Sequence, residues 1–270
     1  MKIMKYRLCN KYLILGSLIL FSCLLFSWIF ASDFFLIMTQ DYNAPDLSGT
    51  KEEIQPVYLY QILDWEGLID SSMFYLIDFI PVLFILPTLA LFNEKRSFFV
   101  LGRSRFTSLK KEIYRSVFCH TMISAVTTVL TLLAYFSIGG LFVHRSLDDI
   151  GGFASMLPDN FYQNHPYLFF VFLICSIYFA LAFSFSFLSA TTVLIFEKEY
   201  QVIVFVLIFY LIYGQLGVIS NSSFFDIFSS FTAFNTLKNT YEVFLPIFPI
   251  LGISALFLWY GTNKIIKTEN

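Results

Sequence analysis

Residues 93–115 read NEKRSFFVLGRSRFTSLKKEIYR and carry seven bases: Lys95, Arg96, Arg103, Arg105, Lys110, Lys111 and Arg115. Only Glu94 and Glu112 oppose them. Long apolar runs lie on both sides, and Lys and Arg close to the ends of a membrane span resist translocation. The stretch therefore reads as an inner loop joining two spans. Phe98, Phe99, Leu101, Phe106 and Leu109 alternate with the charges. A helix over residues 95–109 is then amphipathic and lies along the inner membrane face. Such a segment has two uses. It grips anionic lipid, or it docks a cytoplasmic partner and passes force into the membrane.

Composition fixes the class. Hydrophobic residues make up 57% of the 270 and charged residues 13%, against roughly half and a quarter in soluble domains. An all-α, polytopic membrane protein is expected, as one transmembrane domain with no room for a soluble catalytic unit. Cys9, Cys23, Cys119 and Cys175 are scattered, and none falls in an expected outer loop. They form neither a disulfide framework nor the paired spacing of a zinc site.

Working outward from the basic loop, six spans are expected: residues 12–38, 73–92, 117–143, 167–196, 202–219 and 243–260. The basic start and Leu20-Phe21-Ser22-Cys23 resemble a lipoprotein signal, but the apolar run continues as LLFSWIF. An uncleaved first span is the reading. Asp78, Pro81 and Pro87 interrupt the second span, and each proline removes a helix donor and invites a kink. Residues 57–68, rich in Tyr and Trp, suit the outer interface. Residues 221–242 are too broken for a full span; they form a surface loop or a re-entrant pair of short helices. With both ends inside, fourteen of the seventeen bases fall in inner segments and twelve of the nineteen acids in outer loops. That asymmetry fixes the expected orientation.

Catalytic signatures are missing. No glycine precedes a lysine, so no phosphate-binding GxxxxGK[ST] loop exists, and HExxH and GxSxG are absent. No cofactor, metal or nucleic acid is expected. Asp78, His120 and Gln215 are the candidate polar sites within the spans. Intramembrane polar groups are costly and so invite a functional reading. A lone membrane histidine such as His120 is more commonly a satisfied interhelical hydrogen-bond partner, and Asp78 and Asp33 lie toward outer ends where hydration is easy.

The layout resembles the membrane subunits (permeases) of type-2 ATP-binding-cassette exporters. The run EKRSFFVLGRSRFTSLKKEIYR is similar to the inner loop of a Gram-positive bacterial branch of them. The resemblance covers the whole chain in layout, with sequence character only in that loop; the long acidic first outer loop departs from it. It implies an exporter of a peptide, lipid-like or drug-like substrate in the bacterial cell membrane. A separate cytoplasmic ATPase subunit drives such a permease, which pairs with a second copy or a sister permease. It also implies that Phe98, Phe99, Leu101 and Phe106 meet the ATPase while Arg96, Arg103, Arg105 and neighbouring lysines hold the loop at lipid. An ion-coupled secondary transporter and a membrane-bound immunity or assembly protein are the competing expectations.

Overall fold

A computed structural model describes residues 10–44, 47, 49–99, 108–144, 151–236, 238–239 and 241–267. Among the described residues the regular structure is helical, apart from one isolated bridge between Asp64 and His144. Five helices are long and apolar enough to cross a membrane: residues Lys11–Ala31, Leu109–Gly139, Pro166–Ile195, Glu199–Ser220 and Glu242–Lys267. The chain is thus a multi-pass helical membrane protein. Phe26, Phe30, Leu130, Val218 and Leu256 stand exposed on the outside of these helices, which suits a lipid solvent.

Helix α1 (Lys11–Ala31) starts where the Asn10 side chain accepts from the Tyr12 amide at 3.1 Å, a cap for an otherwise orphaned donor. Its buried face is Gly16, Leu20, Leu24 and Ser27. The helix stops at Ala31, short of the expected end at residue 38, because Asp33 turns left-handed with φ 59°. A short helix α2 (Phe34–Thr39) follows. Two more helices occupy the acidic loop, α3 (Lys51–Ile62), which buries no residue, and α4 (Trp65–Phe74). The α3 start carries a Thr50–Glu53 capping box.

The expected second span is not one continuous helix. After α4 come a turn, α5 (Ile80–Ile85), a 3-10 stretch Leu86–Ala90, one α turn Leu91–Asn93 and a π turn Glu94–Phe98. Pro81 and Pro87 begin α5 and the 3-10 stretch, as their missing N–H groups dictate. Broken backbone is tolerated at membrane depth only when neighbours satisfy it. Here they do. The Ile77 carbonyl accepts the Tyr210 hydroxyl, and the Phe84 carbonyl accepts Ser124 at 2.7 Å and Ser186 at 3.3 Å.

Helix α6 (Leu109–Gly139) begins at Ser108, whose hydroxyl accepts from the Lys111 amide at 3.4 Å. At 1.5 Å per residue it is about 46 Å long, more than a bilayer core. Gly140 follows it because the Trp65 ring lies 2.3 Å from where a Cβ would stand. Helix α7 (Pro166–Ile195), with a π turn at Ile174–Tyr178, is the centre of the bundle. Residues Ala182, Ser184, Ser186, Ser189, Ala190, Thr191 and Thr192 on it are buried, and such small side chains allow close helix approach. Ser189 meets Thr88 of the broken segment at 2.7 Å. Helix α8 (Glu199–Ser220) ends at a left-handed Asn221. A short helix α9 (Ile227–Phe231) then precedes α10 (Ile247–Lys267).

Two contacts mark the ends of the bundle. The Trp65 amide donates to the His144 carbonyl at 2.9 Å, and the Tyr60 and His144 rings stack at 3.9 Å. The acidic loop and the loop after α6 therefore share one end. Lys95 reaches carbonyls at the finish of α7, so residues 65–95 run from one end to the other.

Candidate functional site

The segment opening the basic stretch is fastened into the bundle from three directions. Glu94 is 5% exposed, so its carboxylate needs partners to offset lost hydration. The Ser116 hydroxyl donates to one carboxylate oxygen, and His120 Nε2 lies 3.1 Å from the other. Ser116 and His120 are four residues apart on α6, and a helix places such residues on one face. Both are buried.

Lys95, the next residue, turns the opposite way. Its ammonium donates to the carbonyls of Val193 at 2.8 Å and Phe196 at 2.6 Å. The last carbonyls of a helix lack intrahelical partners and carry partial negative charge, so a cation fits there. Arg96 donates to the Glu197 carbonyl at 3.1 Å and lies 3.9 Å from the Glu199 carboxylate. Tyr12 of α1 donates to that same carboxylate at 3.1 Å, and Lys264 of α10 donates to the Ile195 carbonyl at 3.0 Å. Residues 94–96 thus tie α6, α7 and the start of α8 together at one end, where Tyr12 joins α1 to α8 and Lys264 joins α10 to α7.

The expected docking residues divide. Arg96 is exposed and sits at this junction, while Phe98 closes the π turn. Phe99 is 1% exposed and belongs to the bundle core. Its apolar ring, one residue past a π turn, is drawn inward with Phe92. Leu101, Arg103, Arg105 and Phe106 lie outside the described residues, as does much of the expected helix over residues 95–109. Of the polar candidates, only His120 is buried in a polar cluster; Asp78 is exposed at the break before α5, and Gln215 is exposed on α8. Glu94 was legible only as a counter-charge. The signal for its role is the spacing Ser116, His120 in the following helix.

The opposite end holds the second constructed feature. Residues 225–228 pack back against α8: Gly217 would place a Cβ 2.5 Å from the Phe225 carbonyl oxygen, and Gly214 one 2.5 Å from the Phe228 ring. Tyr213 donates to the Phe224 and Pro246 carbonyls at 2.7 and 2.9 Å, and Tyr178 to the Phe231 carbonyl at 2.7 Å. Asp226 caps α9 through the Ser229 amide and pairs with Lys238. Burial works to raise the Asp226 carboxyl, but the Lys238 and Ser229 hydrogen bonds outweigh it and hold the group below the ordinary range. Within this stretch Ile227, Phe231, Ala233 and Phe234 are buried.

Among the described residues no group of three or more His, Cys, Asp or Glu could hold a metal ion. Cys23, Cys119 and Cys175 are free thiols. No protein-family model, no curated protein and no solved structure matches the chain.

Proposed function

We propose that the chain is the membrane permease subunit of an exporter powered by a separate ATPase, of the type-2 ATP-binding-cassette kind. It crosses a bacterial cell membrane six times with both ends in the cytoplasm and works as a dimer with itself or a sister permease. The observation that carries this reading is the fastening of residues 94–96. A loop that serves only to grip lipid needs its bases in the headgroup layer. Here Lys95 and Arg96 hold the ends of α7 and α8 at 2.6–3.1 Å, and Glu94 holds α6. A push on the segment beyond them is delivered to three helices at once. The return of the chain between the last two long helices, with Ile227, Phe231, Ala233 and Phe234 buried, supports the same layout. The ATPase supplies the chemistry; this chain supplies a lever and a path for the substrate.

The test is co-purification of the ATPase with variants of the loop. Phe98→Asp and Phe106→Asp each place a charge on the expected docking face, and interface cores are depleted in charge. Both should release the ATPase, with the amount of permease in the membrane fraction unchanged. Retention of the ATPase and of its stimulated activity in both variants sinks the docking role.

A further inference from the structure

At the basic end of the bundle an apolar groove of about 370 Å³ opens sideways between the last turn of α7, the start of α8 and the second half of α10. Ile195, Phe196, Phe205, Phe257 and Tyr260 form its wall. Thr192 also reaches it, but its hydroxyl donates to the Ser189 carbonyl at 2.8 Å and is spent inside the helix.

The rim is different in kind. Lys264 lies one helical turn past Tyr260 and donates to the carbonyl of Ile195, a wall residue. Lys95 donates to the carbonyl of Phe196, another wall residue. Lys198 and Lys267 are exposed at the same end. Among the described residues Glu94, Glu197 and Glu199 accompany these four lysines and Arg96 at this end, so bases outnumber acids there. Helix capping explains where the two ammonium groups stand. It does not explain why the two residues whose carbonyls they cap, Ile195 and Phe196, also wall a carbon-lined slot.

We propose that this groove seats an acyl chain of an anionic phospholipid, with the phosphate held against Lys264 and Lys95. The two halves of such a lipid match the two parts of the site. The chain fills a wall that water cannot satisfy, and the headgroup balances the surplus charge; basic pockets between transmembrane helices hold anionic headgroups in this way. The proposal does not depend on what the protein transports.

Trp259 borders the groove and is 60% exposed, which makes it a reporter. The full chain is placed in nanodiscs of phosphatidylcholine containing a minor fraction of brominated phosphatidylglycerol, and bromine quenching of tryptophan is read. The control disc carries the same fraction of brominated phosphatidylcholine, and Trp259→Phe gives the background from Trp28 and Trp65. Quenching of Trp259 by the anionic lipid should exceed that by the zwitterionic lipid about fivefold, the preference one lysine near a charged headgroup supplies. Lys264→Gln should remove most of that excess. Soluble glycerol phosphate, which has no chain, should leave it unchanged. Equal quenching by the two lipids in the unaltered protein overturns the proposal, as does an excess that survives Lys264→Gln or is abolished by glycerol phosphate. If Lys264→Gln does not fold, the comparison of the two lipids on the unaltered chain decides.

Discussion

Glu94 sits among seven bases in sequence, and its carboxylate faces Ser116 and His120 of α6. Removing it as Glu94→Ala leaves a buried hydroxyl and a buried ring nitrogen short of an acceptor. Each such orphan costs about 1–3 kcal/mol, so the variant should show a clearly lowered thermal unfolding midpoint in detergent. Ser116→Ala should cost less, about 0.5–1 kcal/mol, the range of single hydroxyl contacts between membrane helices. Glu94→Gln keeps an acceptor and should fall between them. A Glu94→Ala midpoint equal to that of the unaltered chain would show that the cluster contributes nothing. His120 was legible as a hydrogen-bonded membrane histidine, because its type and depth admit few other fates. Its partner was not legible. It lies 26 residues away, across a stretch whose positive charge suggests that an acid there is merely a local neutraliser.

Among the elements, the long apolar helices were legible because a bilayer demands about twenty consecutive apolar residues and few other environments do. The kinks at Pro81 and Pro87 were legible from the chemistry of proline. What could not be read was how the broken segment is satisfied, since the hydroxyls of Ser124, Ser186 and Tyr210 come from three other helices. The return segment after α8 was similarly ambiguous until its contacts with two glycines are seen. At Gly217 the obstacle to a methyl group is the Phe225 backbone, which cannot rotate aside. Gly217→Ala should therefore destabilise by about 1–3 kcal/mol, as overpacking does. At Gly252 of α10 nothing lies within 4 Å, and Gly252→Ala should leave the midpoint unchanged or raise it slightly through helix propensity. Equal midpoints for the two variants would mean that residues 222–231 do not pack on α8.

For the whole molecule the open matter is parity. Five long helices alone would leave the two ends of the chain on opposite sides of the membrane; a sixth crossing by residues 65–98 returns them to the same side. Two contacts favour the sixth. Trp65 is bonded to His144, in the loop after α6, and Lys95 to Phe196, at the far end of α7. A path joining those two places traverses the bundle even though no single helix does. Single cysteines at Gln61, Ser155 and Ser97, all exposed, separate the alternatives once Cys9, Cys23, Cys119 and Cys175 are replaced by serine. With six crossings, an impermeant maleimide on intact cells labels positions 61 and 155 alike and reaches position 97 only after lysis. Without the sixth, positions 61 and 97 behave alike and 155 differs from both. The excess of Lys and Arg around residues 95–115 sets which side is which, because bases flanking a span are retained in the cytoplasm. Labelling of position 97 on intact cells would therefore remove the docking role as well, since an ATPase in the cytoplasm could not reach the segment that is meant to drive α6, α7 and α8.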